Sequence, residues 1–322
     1  MYFCSLMAII GTDINQAQLF LEQGEVVGIP TETVYGLAGN AFDIEAVTKI
    51  FEVKTRPTFD PLIVHTNSIE RLTEFVKFVP EKALLLAQKF MPGPLTMLLP
   101  KHQSIPDLVT SGLDTVAVRI PNHPLTLELL SNLAFPLAAP SANPFGYISP
   151  TSAQHVAKQL GDKIPYILDG GECQIGLEST IVGFENEEVV VYRKGGLSIE
   201  EIEKIVGKIC VNSHSSSNPK APGMLKSHYA PRKDLLLFQG GKFSEDVDKI
   251  GYLSFQKFNS DIPKKNQLIL SESGNYKEAA RNLFAYMRQL DSMNIDKIYV
   301  ELLPEKDLGR AINDRLKRAS IK

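Results

Sequence analysis

Short apolar runs alternate with helical stretches through the first 210 residues, and this alternation constrains the fold more than any other feature of the sequence. The run Val26 to Ile29, between Gly24-Glu25 and Pro30, predicts a buried strand. Further strands are predicted at Leu62 to Val64, Leu95 to Leu99, Thr115 to Ile120, Leu137 to Ala139, Tyr166 to Leu168 and Thr180 to Phe184. Helices are predicted at Ile44 to Val53, Ser68 to Phe78, Glu81 to Phe90, and from the capping box Ser198/Glu201 to about Lys208. Such interleaving predicts an α/β sheet layered with helices rather than a sandwich or a bundle.

A change in composition at residues 211–233 divides the chain. This segment, VNSHSSSNPKAPGMLKSHYAPRK, is rich in Ser, Pro and Asn and has four basic residues and no acidic one. Later strands are predicted at Leu235 to Phe238, Tyr252 to Phe255, Leu268 to Leu270 and Ile298 to Leu302, with helices around Ala279 to Leu290 and at Leu308 to Ala319. We therefore predict a first domain at 1–210, a linker at 211–233 and a smaller α/β domain at 234–322.

Charge and cysteine content exclude several classes of protein. The 34 Lys and Arg against 37 Asp and Glu give a net charge of −3, so the whole chain is no obvious polyanion binder. Cys4, Cys173 and Cys210 are far apart and form no C-x-x-C pair, which is typical of a reducing compartment. No two of the six histidines have metal-ligand spacing, so we expect no metal site built from side chains. The apolar N-terminus lacks basic residues and is too short to span a membrane, so the sequence predicts a cytoplasmic protein without membrane contact.

Polar segments adjoin several predicted strands, where an α/β sheet presents loops to a ligand crevice. They include 31–36 (TETVYG), 54–57 (KTRP), 139–144 (APSANP), 176–180 (GLEST) and 192–195 (YRKG). The motifs G-x-x-x-x-G-K-[ST], G-x-G-x-x-G, H-E-x-x-H and G-x-S-x-G do not occur in the sequence. A nucleotide would therefore bind without those common motifs.

Two pairs of side chains in these segments suit a polyphosphate. Lys54 and Arg56 project to the same side in extended geometry, where arginine can hold two oxygens and lysine supplies a point charge. Ser141 and Asn143 stand between two prolines, in a stiff turn that can hydrogen-bond phosphate or ribose oxygens. Each pair also has an ordinary interpretation, a solvated basic helix end for the first and a Ser or Asx turn for the second.

Three further residues have two interpretations each. Thr31 and Thr33 are either ligand-binding hydroxyls or helix N-caps. Arg119 closes an apolar strand, which indicates a carboxylate partner that belongs either to the protein or to a substrate.

Eight motifs, taken in order, resemble those of the YrdC-like family of threonylcarbamoyl-AMP synthases. They are PTETVYGL, KTRP, DPLIVH, PGPLT, AVRIPNHP, APSANPFG, GLESTIVG and YRKG. The segments PGMLKSHYAP and GRAINDRLKRA further resemble the long, two-domain form of the family. The resemblance implies a YrdC-like twisted open sheet with helices, followed by a smaller Rossmann-like α/β domain.

The same resemblance implies an activity. L-threonine, bicarbonate or CO2, and ATP would give threonylcarbamoyl-AMP and pyrophosphate, with Mg2+ accompanying ATP. This is the first step of N6-threonylcarbamoyladenosine formation in tRNA. A downstream tRNA threonylcarbamoyl transferase complex is the implied partner, and direct contact with tRNA stays open.

Residue roles follow from the resemblance position by position. Lys54, Arg56, Ser141 and Asn143 match phosphate-facing catalytic positions. The implied ATP contacts are these four with Asp60, Thr115, Ser149, Arg193 and Tyr229. The implied L-threonine contacts are Thr33, His65, Arg119, the backbone of Ala139, and Ser179.

One residue departs from the family pattern at an implied ATP contact. Asp60 stands where family members usually have Asn, so a carboxylate replaces an amide donor. It would either bind Mg2+ or weaken the site.

The linker has two interpretations. By resemblance it folds over the site as a lid, with Tyr229 reaching the nucleotide. The alternative is an RNA-binding module without ligase activity, in which the basic linker and Arg310, Arg315, Lys317 and Arg318 contact phosphates.

Overall fold

The computed structural model describes residues 7–186, 188–212, 220–225, 227–244 and 246–321. Within these ranges the chain forms a large mixed sheet and a small parallel sheet, both layered with helices, so the predicted α/β class is confirmed. Cys4, linker residues 213–219 and Lys226 lie outside the described residues.

The large sheet is built from short strands. In chain order they are β1 (Ile9–Gly11), β2 (Val27–Ile29), β3 (Gly36–Asn40), β4 (Ile63–His65), β5 (Leu95–Pro100), β6 (Thr115–Arg119), β7 (Leu137–Ala138), β8 (Tyr166–Leu168), β9 (Thr180–Glu185), β10 (Glu188–Arg193) and β11 (Cys210–Val211). In space their order is β1-β8-β2-β3-β7-β4-β6-β5-β9-β10-β11. Strands β4 and β6 are parallel, and their register places His65 beside Arg119. Two residues predicted to bind a ligand therefore meet at one edge of the sheet.

Helices cover this sheet and bury its apolar side chains. They are α1 (Ile14–Glu22), α2 (Ile44–Lys54), α3 (Glu81–Phe90), α4 (Asp107–Thr110), α5 (Pro124–Asn132), α6 (Ala153–Leu160) and α7 (Ile199–Val206). The predicted capping box of α7 is present, with Ser198 accepting from the backbone of Glu201 and the Glu201 side chain returning to Ser198.

The second sheet follows the linker. Its strands are β12 (Asp234–Leu237), β13 (Ile250–Ser254), β14 (Gln267–Ile269) and β15 (Lys297–Val300), all parallel, in the order β12-β15-β13-β14. Helices α8 (Tyr276–Ser292) and α9 (Gly309–Ala319) pack with it. The buried stripe on α8 includes the predicted Ala279, Leu283, Met287 and Leu290.

The second domain shares an apolar core with loops of the first domain. Leu283, Phe284 and Met287 of α8 belong to the same buried cluster as Val34 and Leu177 from the first part of the chain. Helices α8 and α9 are thereby held against the loops that surround the large sheet.

Two local predictions differ from the structure. Where a helix was expected over Ser68 to Phe78, the chain forms a 3-10 turn at Glu70–Glu74, because Phe75 leaves the helical conformation and Val76 bridges to Lys101. Lys54 and Arg56 do not lie side by side in extended geometry. Lys54 ends α2, and Thr55 takes a left-handed conformation with φ of 52°, which sends the two side chains in different directions.

Candidate active site

A small cavity of about 50 Å3 lies at the carboxyl ends of β4, β6 and β10. Eight of the predicted site residues line it: Arg56, His65, Arg119, Ala139, Ser141, Ser179, Arg193 and Tyr229. Linker residues Pro222, Gly223 and His228 also line it. Pockets for small ligands usually measure about 300–1,000 Å3, so the linker here fills much of the crevice.

Arg119 is held at one end of the cavity by a carboxylate of the protein. Its Nη2 lies 2.8 Å from Glu32 Oε1 and donates to Thr33 Oγ1 at 2.8 Å, and its Nε donates to the carbonyl of Gly93. Among the described residues, nothing accepts a hydrogen bond from its Nη1. Both interpretations of Arg119 therefore agree with the structure. The carboxylate of Glu32 orients the guanidinium, and Nη1 remains available to a ligand.

Hydroxyls and a neutral imidazole complete this end. Ser179 Oγ lies 2.7 Å from Thr96 Oγ1 and accepts from Arg193 at 3.1 Å. Burial, with the nearby Arg119, lowers the pKa of His65 to about 3, so its imidazole is neutral at physiological pH. Its Nδ1 donates to the carbonyl of Ile63. The predicted helix cap is not found, since Thr31 Oγ1 instead accepts from the backbone N–H groups of Thr33 and Val34 in a tight turn.

Arg56 lies at the opposite side of the cavity with Asp60. Its Nη2 is 2.9 Å from Asp60 Oδ2, and its Nε and Nη2 donate to the carbonyls of Asp60 and Pro61. Asp60 is fully buried, and burial raises its pKa although Arg56 and Arg193 act in the opposite direction. The predicted departure from the family is thus a carboxylate that faces Arg56 inside the protein.

Lys54 supports the Ser141–Asn143 turn from beneath. Its Nζ donates to the carbonyls of Ser141 and Asn143, and it is almost completely buried. The Asn143 amide donates to the carbonyls of Pro144 and Tyr147 at 2.8 and 2.9 Å. For Asn143, the interpretation as a turn residue describes this arrangement, because both of its N–H groups are used within the loop.

Thr115 lies apart from the cavity, at the opposite end of β6 from Arg119, a distance of about 13 Å along an extended strand. Between the two ends, linker residues Ala221 and Met224 pack on Ile63 and Ala117. A nucleotide that reaches Thr115 and the cavity together would have to displace this part of the linker.

Sequence reasoning assigned no role to Glu178, which links the site to the second domain. Its Oε1 accepts from Ser149 Oγ at 2.5 Å, and its Oε2 accepts from Arg315 Nε at 2.8 Å. Glu178 lines the cavity, whereas Ser149 is completely buried beside it. The signal available in the sequence was the GLEST motif, which contains Glu178 but not its distant partner.

Among the described linker residues, the rings of His228 and Tyr229 close the cavity. The pKa of His228 lies well below its usual value because the ring is buried beside Arg56, Lys54, Arg315 and Arg193. Arg193 donates to the linker carbonyl of Pro222 at 3.1 Å. The linker therefore binds directly to side chains of the site.

In the described ranges, no group of three or more His, Cys, Asp or Glu residues is placed to hold a metal ion. No helix in those ranges is both long enough and apolar enough to cross a bilayer.

Comparison with known proteins gives the family. Residues 19–195 match a family model described as "Telomere recombination", and residues 197–320 match "Threonylcarbamoyl-AMP synthase, C-terminal domain". A threonylcarbamoyl-AMP synthase of Pyrococcus abyssi is 43% identical, covering 95% of this chain and 94% of the relative. The chain belongs to the threonylcarbamoyl-AMP synthase family, in its long two-domain form.

Other members of the family support this assignment. The Bacillus subtilis threonylcarbamoyl-AMP synthase is 38% identical, covering 95% of this chain and 92% of the relative. A crystal structure of P. abyssi Sua5 complexed with L-threonine superposes with a TM-score of 0.89 at 41% identity, covering 98% of this chain and 97% of that one. The fold likeness therefore extends over both sheets.

Proposed function

We propose that this chain joins L-threonine, bicarbonate or CO2, and ATP to form threonylcarbamoyl-AMP and pyrophosphate. The observation that carries the proposal is that eight residues to which the family resemblance gives ATP or L-threonine contacts line one cavity. Full-length relatives that carry the name of this enzyme support the same reaction.

The charges around the cavity suit two anionic substrates. Four cationic side chains, Lys54, Arg56, Arg119 and Arg193, are buried here with three buried carboxylates, those of Glu32, Asp60 and Glu178. We assign Arg119 and Ser179 to the threonine carboxylate, and Arg56, Ser141 and Arg193 to the triphosphate. Lys54 would hold the Ser141 loop in place, so it would contribute to catalysis only indirectly.

The chemistry requires positioning and the exclusion of water. The threonine amine adds to CO2 with loss of a proton, or to bicarbonate with loss of water, and an oxygen of the resulting carbamate then displaces pyrophosphate from the α-phosphorus of ATP. A carbamate is short-lived in water, so the reactants must be held together in a closed site. Pro222, Gly223, His228 and Tyr229 already cover the cavity, which supports the proposal that the linker acts as a lid.

Mg2+ would enter with ATP. Asp60 does not suit the role of a protein ligand in this arrangement, because its carboxylate faces Arg56. Mg2+ is commonly bound through substrate phosphates and water, with few protein ligands. When bound, it would offset charge on the triphosphate.

The product would pass to a tRNA threonylcarbamoyl transferase, and we propose the cytoplasm as its location because tRNA is modified there. The RNA-binding alternative has less support. Its four terminal basic residues are paired within the protein: Arg310 with Glu200, Arg315 with Glu178, Lys317 with Glu305, and Arg318 with Asp314.

A labelling assay tests the proposal. The protein is incubated with ATP, Mg2+, labelled bicarbonate and one amino acid at a time. We expect a labelled adenylate and an equal amount of pyrophosphate with L-threonine alone. Label that appears without threonine, or tight RNA binding without ATP turnover, would contradict it.

A further inference from the structure

Arg315 lies on α9 of the second domain, and its side chain is completely buried. Its Nε donates to Glu178 at 2.8 Å, its Nη1 donates to Asp314 at 2.7 Å, and its Nη2 donates to the carbonyl of Lys194 at 2.9 Å. Each nitrogen of the guanidinium therefore has a partner, and two of these partners belong to the first domain. Such a fork is rigid and fixes the position of what it holds.

What Arg315 holds is a carboxylate that already binds the Ser149 hydroxyl. Glu178 Oε2 takes the hydrogen bond from Arg315, and Glu178 Oε1 takes the one from Ser149 at 2.5 Å. An ionised carboxylate only accepts hydrogen bonds, so the single hydroxyl hydrogen of Ser149 must point at Glu178. Ser149 is completely buried and does not line the closed cavity, so the lone pairs of its Oγ can serve a nucleotide only when the site opens.

The same guanidinium supports the linker. The centre of the Arg315 guanidinium lies 4.8 Å from the centroid of the Tyr229 ring, and the ring stacks on Phe284 of α8 at 5.7 Å. Tyr229 is thus held from the second domain on two sides. One side chain touches both a lid residue and the carboxylate beside the site.

We propose that Arg315 is a positioning residue that, through Glu178, fixes the Ser149 hydroxyl as a hydrogen-bond acceptor for the nucleotide. Ser149 would then accept from a ribose hydroxyl or from the adenine amino group and would not donate to a phosphate oxygen. This inference rests on the proposed function and on the ATP contact that the family resemblance implies for Ser149, and it gives the second domain an indirect part in ATP recognition.

The charge on Glu178 is central to this role. Burial would raise the pKa of Glu178, but Arg315, Arg193 and the Ser149 hydrogen bond outweigh burial and lower it. The other titratable group that faces Glu178 is Tyr229, which is neutral because burial raises its pKa. Without Arg315, burial would dominate and the pKa of Glu178 would rise. A protonated Glu178 could donate to Ser149, and the hydroxyl would lose its fixed direction.

The first experiment compares Arg315→Gln with Arg310→Gln. Arg310 is on the same helix and also pairs across the domains, with Glu200, but it has no contact with the cavity. We expect Arg315→Gln to raise KM for ATP about tenfold, with a larger rise at about pH 6 than at about pH 8. The ratio of KM for ATP between Arg310→Gln and the wild type should be the same at about pH 6 and at about pH 8.

The mechanism predicts how a second substitution combines with the first. Glu178→Gln should raise KM for ATP without the added pH dependence, because an amide does not titrate in this range. Arg315→Gln should add little in the Glu178→Gln background, since the two act as one unit. Additive effects, or an Arg315→Gln enzyme that matches Arg310→Gln, would overturn the proposal.

A second test does not require Arg315→Gln to fold. Ser149→Ala is assayed with ATP, 2′-deoxy-ATP, 3′-deoxy-ATP and inosine triphosphate. We expect Ser149→Ala to have a higher KM for ATP than the wild type. For the one analogue that lacks the group donating to Ser149, the variant and the wild type should have the same KM. Equal rises with all four nucleotides would refute the acceptor role. If the wild type itself forms no threonylcarbamoyl-AMP, the proposed function fails instead.

Discussion

Single residues around the cavity are held by charges that the protein itself supplies. Asp60 lies 2.9 Å from Arg56, and Glu32 lies 2.8 Å from Arg119. The motifs identified the cations because these stand in recognisable patterns. They could not identify how each cation is held, because a buried ion pair depends on the three-dimensional path of the loops.

Asp60→Asn removes the negative charge beside Arg56 and keeps the shape of the side chain. We expect KM for ATP to fall about fivefold, because the guanidinium then has the phosphates as its main anionic partner. Initial rates at saturating L-threonine measure this. Asp261→Asn, at an exposed acid of the second domain, is the control. An unchanged or higher KM would show that Asp60 does not compete with ATP.

Arg119→Lys tests the proposed binding of L-threonine beside Arg119. A lysine cannot reproduce the planar fork of Arg119, so we expect KM for L-threonine to rise about thirtyfold, or about 2 kcal/mol. KM for ATP should change far less. The exposed Arg281→Lys is a matched substitution away from the cavity. Equal changes in both KM values would argue against a clamp on the threonine carboxylate.

Among the elements, those with strong end signals were predicted best. Helix α3 has the predicted bounds Glu81–Phe90, and the capping box fixes the start of α7. Strand β3 was missed because two glycines, Gly36 and Gly39, hide its strand pattern, and the chain is extended there through pairing with β2 and β7. The local pattern also could not show that the linker lies on the cavity, since that depends on contacts distant in sequence.

The linker should hold its position less firmly in acid. His228 is neutral when buried, because burial and nearby cations keep its pKa well below the usual 6.5. A released His228 takes up a proton at about pH 6.5, so the closed position is fully favoured above that pH and weakens as the pH falls. We expect amide hydrogen exchange at residues 220–225 and 227–233, corrected for its intrinsic pH dependence, to be faster at about pH 6 than at about pH 8.

His228→Gln is the control for this pH effect. Glutamine does not titrate, so the corrected exchange rates in the linker should be the same at both values. If the corrected exchange rates of the wild type are also the same at both pH values, His228 does not couple the linker to pH.

At the scale of the whole molecule, one apolar core joins the second domain to loops of the first. Phe284 of α8 is fully buried in this core and stacks on Tyr229 of the linker. Cores that are shared in this way couple the unfolding of their parts.

Phe284→Ala should therefore destabilise the molecule as a whole. Removing a buried phenylalanine costs about 3–5 kcal/mol, and we expect one calorimetric transition at a lower Tm. Phe258→Ala, at a half-exposed ring, should leave Tm nearly unchanged. Two separate transitions, with only the second domain affected, would show that the sheets unfold independently.

The contact between Glu178 and Arg315 joins positions that are 137 residues apart. A ribosome that has reached the linker has produced Ser149 and Glu178 but not the arginine that orients them. Such a nascent chain has no α9 or Phe284 to hold Tyr229 over the crevice. A chain whose translation stops before α9 therefore lacks both contacts by which the second domain holds Glu178 and Tyr229 at the cavity.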